Sequence, residues 1–329
     1  MSSESPLQAG STAVSQSALR PTKQLGLLWL LLALWPLVVP NSYIVSLGST
    51  FFINLLLIAS LNLLVGYTGL TSLAHAAFWG IGAYVSGIFA IQTGFSPWLG
   101  TLLAMLACAL VACLIGLSTL RLSGHYLAMA TLGFNAIVTV VLVAQVDWTG
   151  GPNGLIGIPS YTLGSYDLSD PTAFFYVTWI ISALVMLSLL FFLRSRSGRA
   201  LQAIRSSDIG AACMGIPVVK YKVAIFALAS AIAGLAGALY AHQNFYISPD
   251  SFTFSISVLL LVMVAIGGFG RYWGPFYGAL LYTALPELVR QYHDIELLIL
   301  GAAMIAVVGF MPGGLAYLVE KLSLRRNKS

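Results

Sequence analysis

The chain is short of charge. Aspartate, glutamate, lysine and arginine make up 8% of its 329 residues, against 59% hydrophobic residues. A soluble domain carries about a quarter charged residues, so this chain has too few to clothe a water-facing surface. Cysteine is scarce too, at 3. Cys108 and Cys113 share one apolar run and Cys213 lies in a cationic stretch, which offers neither an external disulfide nor a metal-ligand spacing. No lysine directly follows a glycine. That removes the phosphate-cradling G-x-x-x-x-G-K-[ST] loop, and ATP hydrolysis by this chain with it. No convergent acid, base or metal set marks an intramembrane enzyme, so neither enzymatic activity nor a cofactor is expected. Well inside the apolar runs there is no Asp, Glu or Lys to relay protons; Glu287, beside Pro286 and close to Arg290, comes nearest.

What is present is a series of apolar runs of bilayer length. They predict an all-α, polytopic transmembrane protein of about ten spans, near 25–39, 43–65, 73–92, 98–118, 125–145, 172–193, 222–241, 255–269, 275–289 and 297–317. The expected organisation is a disordered, serine-rich tail over 1–24, a transmembrane domain over 25–320 and a basic tail over 321–329. Residues 37–41, LVVPN, carry no small-residue cleavage site, so the first run is expected to remain as an anchor.

The sparse charges orient this arrangement. With the N-terminus inside and ten spans, the inner segments hold Arg20, Lys23, Arg121, Arg194, Arg196, Arg199, Arg205, Lys220, Lys222, Arg271, Lys321, Arg325, Arg326 and Lys328; only Arg290 falls outside. The outer segments hold Asp147, Asp167, Asp170, Asp250, Asp294 and Glu296. Cytoplasmic loops are the ones enriched in Lys and Arg, so both termini are expected in the cytoplasm. The basic balance follows from these flanking loops and does not call for nucleic acid as a partner.

One cationic island stands out, residues 194–222, RSRSGRALQAIRSSDIGAACMGIPVVKYK. Leu201 and Ile204 would share a helix face, but the next position on it is Asp208, so the apolar stripe breaks there. The pattern predicts a short helix ending near Ser206–Ser207 and a second one capped by Asp208 that stops at Gly215–Pro217. Two such helices across a membrane mouth make a docking surface. An ordinary solvated loop that obeys the positive-inside rule, with its arginines on lipid headgroups, fits the same residues.

Island and following span together, SGRALQAIRSSDIGAACMGIPVVKYKVAIFALASAIAGLAGALYA, resemble the permease subunit of ABC importers for branched-chain amino acids, of the LivM type. Three more segments agree in order: GYTGLTSLAHAAFWGIGAY over 66–84, TGGPNGLIGIP over 149–159, and YISPDSFTFSISVLLLVMVAIGGFGRYWGPFYGAL over 246–280. Ala74 and Arg271 depart from the family's small-residue pattern. The resemblance implies a multi-pass permease in a bacterial plasma (inner) membrane. It implies a second permease subunit, two ATP-binding subunits on the cytoplasmic side and an external, periplasmic substrate-binding protein as partners. It also implies that the island is the ATPase-coupling loop, with Arg199, Arg205, Asp208 and Gly215 on the coupling surface. Permeases for urea or short amides share much of this pattern; a self-sufficient channel or facilitator is the reading from another class.

Candidate pathway residues are Asn62, Thr68, His75, Thr131 and Asn135. Thr131, Asn135 and Thr139 recur every four residues and share a helix face; Asn54 and Asn62 lie in the second span. Gly66, Gly69, Gly80 and Gly82 around Thr68 and His75 are placed to break helix regularity and expose backbone groups to a zwitterion. Helix packing explains the same polar and small residues. The stripes Ser230–Gly234–Ala238 and Ala233–Gly237–Ala241 read as close packing, within the chain or against a partner permease. The loop over 149–171 is a docking place for a soluble binding protein or a simple lid.

Overall fold

A computed structural model describes residues 29–38, 41–120, 124–164, 166–289, 301 and 314–316 of the chain. The expected tails over 1–24 and 321–329 and nearly all of the tenth expected span lie outside the described residues. Six helices among these are long and apolar enough to cross a membrane. They are α1 (Ser42–Leu61, extended by a π turn over Asn62–Gly66), α2 (His75–Thr93), α3 (Pro97–Thr119), α4 (His125–Ala144), α5 (Pro171–Arg194) and, after two short helices, α8 (Val218–Asn244). The short pair is α6 (Arg196–Ser206) and α7 (Asp208–Cys213); α9 (Phe254–Gly267) and α10 (Gly274–Val289) follow α8. The all-α reading and the expected span positions agree with these helices to within a few residues. Four two-residue strands form small ribbons on the loops: β1 (Leu155–Ile156) pairs with β4 (Tyr246–Ile247), and β2 (Thr162–Leu163) with β3 (Tyr166–Asp167).

Helix ends follow local chemistry. Asn41 caps α1 through a 2.9 Å bond from the Tyr43 N–H, and Asp170 caps α5 with Pro171 in its first turn. Gly94, at φ +64°, stops α2 where an L side chain would be strained. In the first expected span, Trp29 stacks on Phe52 at 5.7 Å and bonds its carbonyl to Trp179 Nε1.

Small residues set the core. A Cβ on Gly82 would overlap the Gly234 carbonyl, one on Gly237 the Trp79 carbonyl, and one on Gly234 would lie 2.7 Å from Cys108 Sγ. Helices α2, α3 and α8 thus touch backbone to backbone, as small residues permit in lipid. The stripes over 230–241 are thereby covered within this chain rather than open to a partner permease. Gly80 and Gly82 likewise serve packing inside α2, Gly80 against Phe252, and break no helix.

Two irregular stretches of chain run between these helices. After the π turn, residues 69–74 are irregular before α2 begins; after α8, residues 245–253 are largely irregular before α9 begins. Phe245 opens the second interruption at φ +57°, the left-handed region that bulky residues rarely occupy.

Candidate functional site

The first interruption runs alongside α4. Leu73 is held at both backbone groups: its N–H donates to Thr131 Oγ1 at 3.0 Å and its carbonyl accepts from Asn135 Nδ2 at 3.3 Å. Asn135 lies halfway along α4, so α2 starts deep within the bundle rather than at its edge. Ser257, in the first turn of α9, completes the joint by accepting from the Ala76 N–H at 3.0 Å and from Asn135 Nδ2 at 3.1 Å. The first turns of α2 and α9 therefore meet at the middle of α4. Non-helical backbone at such depth survives only where its polar groups find partners, and these side chains supply them. One group is left over: Asn135 Oδ1 is buried without a hydrogen-bond partner. The amide cannot be turned round, because the Leu73 carbonyl requires a donor.

His75 sits in the same joint, buried, with Nε2 2.6 Å from Ser60 Oγ. Ser60 spends its one hydrogen on the Leu57 carbonyl at 2.8 Å, so the imidazole is the donor. Thr68 is buried and bonds back to the Leu64 carbonyl. Asn62 stands farther along, at the π turn, where Oδ1 accepts from the Gly270 N–H at 2.9 Å and Nδ2 donates to the Arg271 carbonyl at 3.0 Å. The five predicted pathway residues thus fall into two groups: His75, Thr131 and Asn135 at the mid-bundle joint, and Asn62 and Thr68 at the end that faces the island.

The island folds as two short helices. Ser195 caps α6, and Leu201 and Ile204 share its buried face. The expected cap of the second helix is corrected: Ser207, extended at φ −164°, caps α7 by accepting from the Gly210 N–H at 3.1 Å. Asp208 takes the first helical position instead, and its carboxylate pairs with Lys222 in α8 at 2.5 Å. The Lys222 side chain is only 9% exposed, against 47% for Asp208. Gly215, at φ +79°, ends the helical turn where a side chain would be strained. Arg199 is exposed and donates to the Arg194 carbonyl at 3.2 Å. Arg205 turns its guanidinium inward onto the Gly66 carbonyl. Desolvation lowers its pKa, partly offset by Tyr67, yet arginine stays a cation at any accessible pH. Beside Asp208, α7 and its C-terminal cap hold two apolar side chains out to solvent: Ile209 is 79% and Met214 83% exposed.

Between α6–α7 and the chain around Thr68–Thr71 lies an open cleft of about 360 Å³, lined also by Leu127, Arg205, Asp208 and Lys222. At the opposite end of α8, His242 anchors the long loop. Its Nδ1 donates to the Pro159 carbonyl at 2.6 Å and its Nε2 accepts from Ser86 Oγ at 2.8 Å. In that loop, hydrogen bonds from Ser160 and Ser169 lower the pKa of Asp167. No group of three or more His, Cys, Asp or Glu able to hold a metal ion occurs among the described residues.

Sequence reasoning missed Ser60, Ser257, His242 and the inward turn of Arg205. No local pattern marks the first three, whose partners in other segments lie 15 to 181 positions away.

The chain matches, over residues 43–308, the family described as branched-chain amino acid transport system / permease component. It is 34% identical over 306 residues to the high-affinity branched-chain amino acid transport system permease protein LivM of Salmonella typhimurium, covering 85% of this chain and 71% of the relative. The protein of the same description from Escherichia coli is 33% identical over 328 residues, 92% of this chain and 76% of the relative. A probable branched-chain amino acid transport permease protein LivM from Methanocaldococcus jannaschii is 24% identical over 237 residues, 66% of this chain and 67% of the relative. No solved structure matches the chain.

Proposed function

The chain belongs to the family of branched-chain amino acid transport permease components, and on that footing we propose that it is the membrane-spanning subunit of an ATP-driven ABC importer for branched-chain or other neutral amino acids. ATP is hydrolysed by separate subunits on the cytoplasmic side, a second permease subunit completes the membrane assembly, and an external binding protein delivers the solute. The protein resides in a bacterial inner membrane with its termini and the island in the cytoplasm, the orientation that its lysines and arginines favour.

The observation that carries the coupling is the form of α7. A helix of six residues is too short to persist on its own. Here it is capped by Ser207, stopped at Gly215 and clamped to α8 through Asp208 and Lys222, and it holds Ile209 and Met214 out in water. Exposed apolar side chains on a braced helix suit insertion into a groove of a soluble partner. Arg199 adds a cation to the rim of that contact, and Arg205 and Asp208 hold its base. Closure of the ATPases then moves α6–α7 as one piece against the spans.

The solute route passes the cleft beside Thr68 and the mid-bundle joint of His75, Thr131 and Asn135, with Asn62 at the island end. Asn135 Oδ1 supports this reading, since a buried acceptor without a donor suits the ammonium group of a passing amino acid.

Affinity purification of the tagged chain from its own membranes in mild detergent, with partners identified by mass, tests the coupling. ATP-binding subunits are expected with the parent chain and absent from an Ile209→Asp, Met214→Asp variant of equal folded yield. A parent chain that purifies alone and conducts solute downhill would overturn the importer reading in favour of a channel.

A further inference from the structure

Three separate pieces of chain meet at the island end of the bundle. The last turn of α6 brings Arg205, whose Nη1 donates to the Gly66 carbonyl. The loop between α9 and α10 brings Gly270, whose N–H is held by Asn62 Oδ1 at 2.9 Å. The end of α1 brings the π turn that closes on Gly66. The fit leaves no room for a side chain. A Cβ on Gly66 would overlap Asn62 Oδ1 and the Gly270 nitrogen; one on Gly270 would overlap Arg205 Nη1, besides lying 2.6 Å from the Gly66 carbonyl oxygen. Gly69, at φ +73°, lies beside the arginine stem, its Cβ position in ordinary contact at 3.6 Å from Arg205 Cγ.

This arrangement has a mechanical meaning. In a continued helix the Gly66 carbonyl would accept from Leu70 or Thr71, but those residues are irregular. The guanidinium takes the place of the missing N–H, and a charge-assisted bond is stronger than the one it replaces. The interruption over 69–74 is thus tied at two ends. Its far end is fixed to α4 through Leu73, Thr131 and Asn135, wholly inside the bundle. Its near end is fixed to the island, the part that a soluble partner can move. The π turn at this point is a feature frequent at functional sites.

We infer that Arg205 is a positioning residue that latches the island to the interrupted helix. While its guanidinium holds Gly66, the cleft beside Thr68 keeps its present shape. Displacement of α6 withdraws the guanidinium, frees the Gly66 carbonyl and lets residues 67–74 shift about their anchor at Leu73. Arg205 therefore faces into the permease and passes on the motion that α7 receives. The force that works the latch rests on the importer reading; the latch itself does not.

Two experiments separate these. In liposomes holding the complete assembly, Arg205→Met, which keeps the stem and removes the donor, is expected to lower the solute accumulated per ATP hydrolysed about tenfold with the ATPases still bound. Arg205→Lys restores a cationic donor and most of the ratio. An unchanged ratio in Arg205→Met, or loss of the ATPases from it, overturns the inference. The second experiment needs no partner. In the isolated chain carrying Cys213→Ser and Thr68→Cys, a membrane-impermeant maleimide is expected to label position 68 about fivefold faster with Arg205→Met than with Arg205, the lysine variant again slowing it. Equal labelling rates overturn the latch whatever the transport assay gives; faster labelling in a chain that drives no ATP-dependent uptake keeps the latch and rejects the importer.

Discussion

Helices α2, α3 and α8 and the island α6–α7 are held by opposite means. The helices touch through glycine, with Gly82 against the Gly234 carbonyl, Gly237 against the Trp79 carbonyl and Gly234 against Cys108. One polar tie, Ser86 to His242, joins α2 and α8 at one end, but along the glycine seam no atom can be added. The island is held by discrete polar ties: Ser195 and Ser207 as caps, Asp208 to Lys222, and Arg205 to Gly66. Dry packing of this kind is all-or-none, whereas a tie can be exchanged for another partner without disturbing the rest. A permease needs both, a body that keeps its shape and a handle that can be pulled.

Breaking the rigid side is expected to have the largest effect. Gly237→Val forces a branched side chain onto the Trp79 backbone, beyond the ~1–3 kcal/mol of ordinary overpacking, and should abolish a monodisperse peak in size-exclusion chromatography. A normal peak would show that the helices can part and would erase the contrast. Next comes Asp208→Asn, which strands the buried Lys222 charge. Removing one partner of a fully buried pair costs about 3–5 kcal/mol, and the exposure of Asp208 places this case below that range. Hydrogen exchange should accelerate over 208–222 and stay unchanged in α2 and α3; a global change would mean that island and body unfold together. Ser207→Ala should cost about 1 kcal/mol, read as faster exchange of the Gly210 amide. Smallest is the Ile209→Asp, Met214→Asp pair, expected to shift stability by less than about 0.5 kcal/mol because both side chains already face water. A large loss of thermal stability from that pair would show that α7 packs on the body and offers no free surface.

Much of the fold was legible in the sequence because lipid makes the rules strict. Apolar runs of bilayer length placed the spans to within a few residues, and the failure of the Leu201–Ile204 stripe at Asp208 divided the island where the chain divides. The choice of cap was not legible, since Ser207 and Asp208 both cap helices well; a lysine fourteen positions downstream draws Asp208 away. Gly69, at φ +73°, does end a helix and Gly66 stands in the π turn before it, but Gly80 and Gly82 carry the same letter and serve packing alone. The difference lies in what stands opposite each, Phe252 and Gly234, and sequence spacing does not contain it. Thr131 and Asn135 announced a shared face through their period of four, while Ser257, their partner, lies 122 positions from Asn135 with no pattern of its own. Arg205 reads in the sequence as a coupling-surface cation; only the Gly66 carbonyl, left without a backbone donor, reveals its inward direction.

The measurement that tests the account most directly is uptake of a labelled branched-chain amino acid by liposomes containing the assembly purified on this chain, with and without ATP. Accumulation above the external concentration that requires ATP, and that disappears with the Ile209→Asp, Met214→Asp pair, is the predicted result. Equilibration to the external level by the chain alone, indifferent to ATP and to the pair, would contradict it.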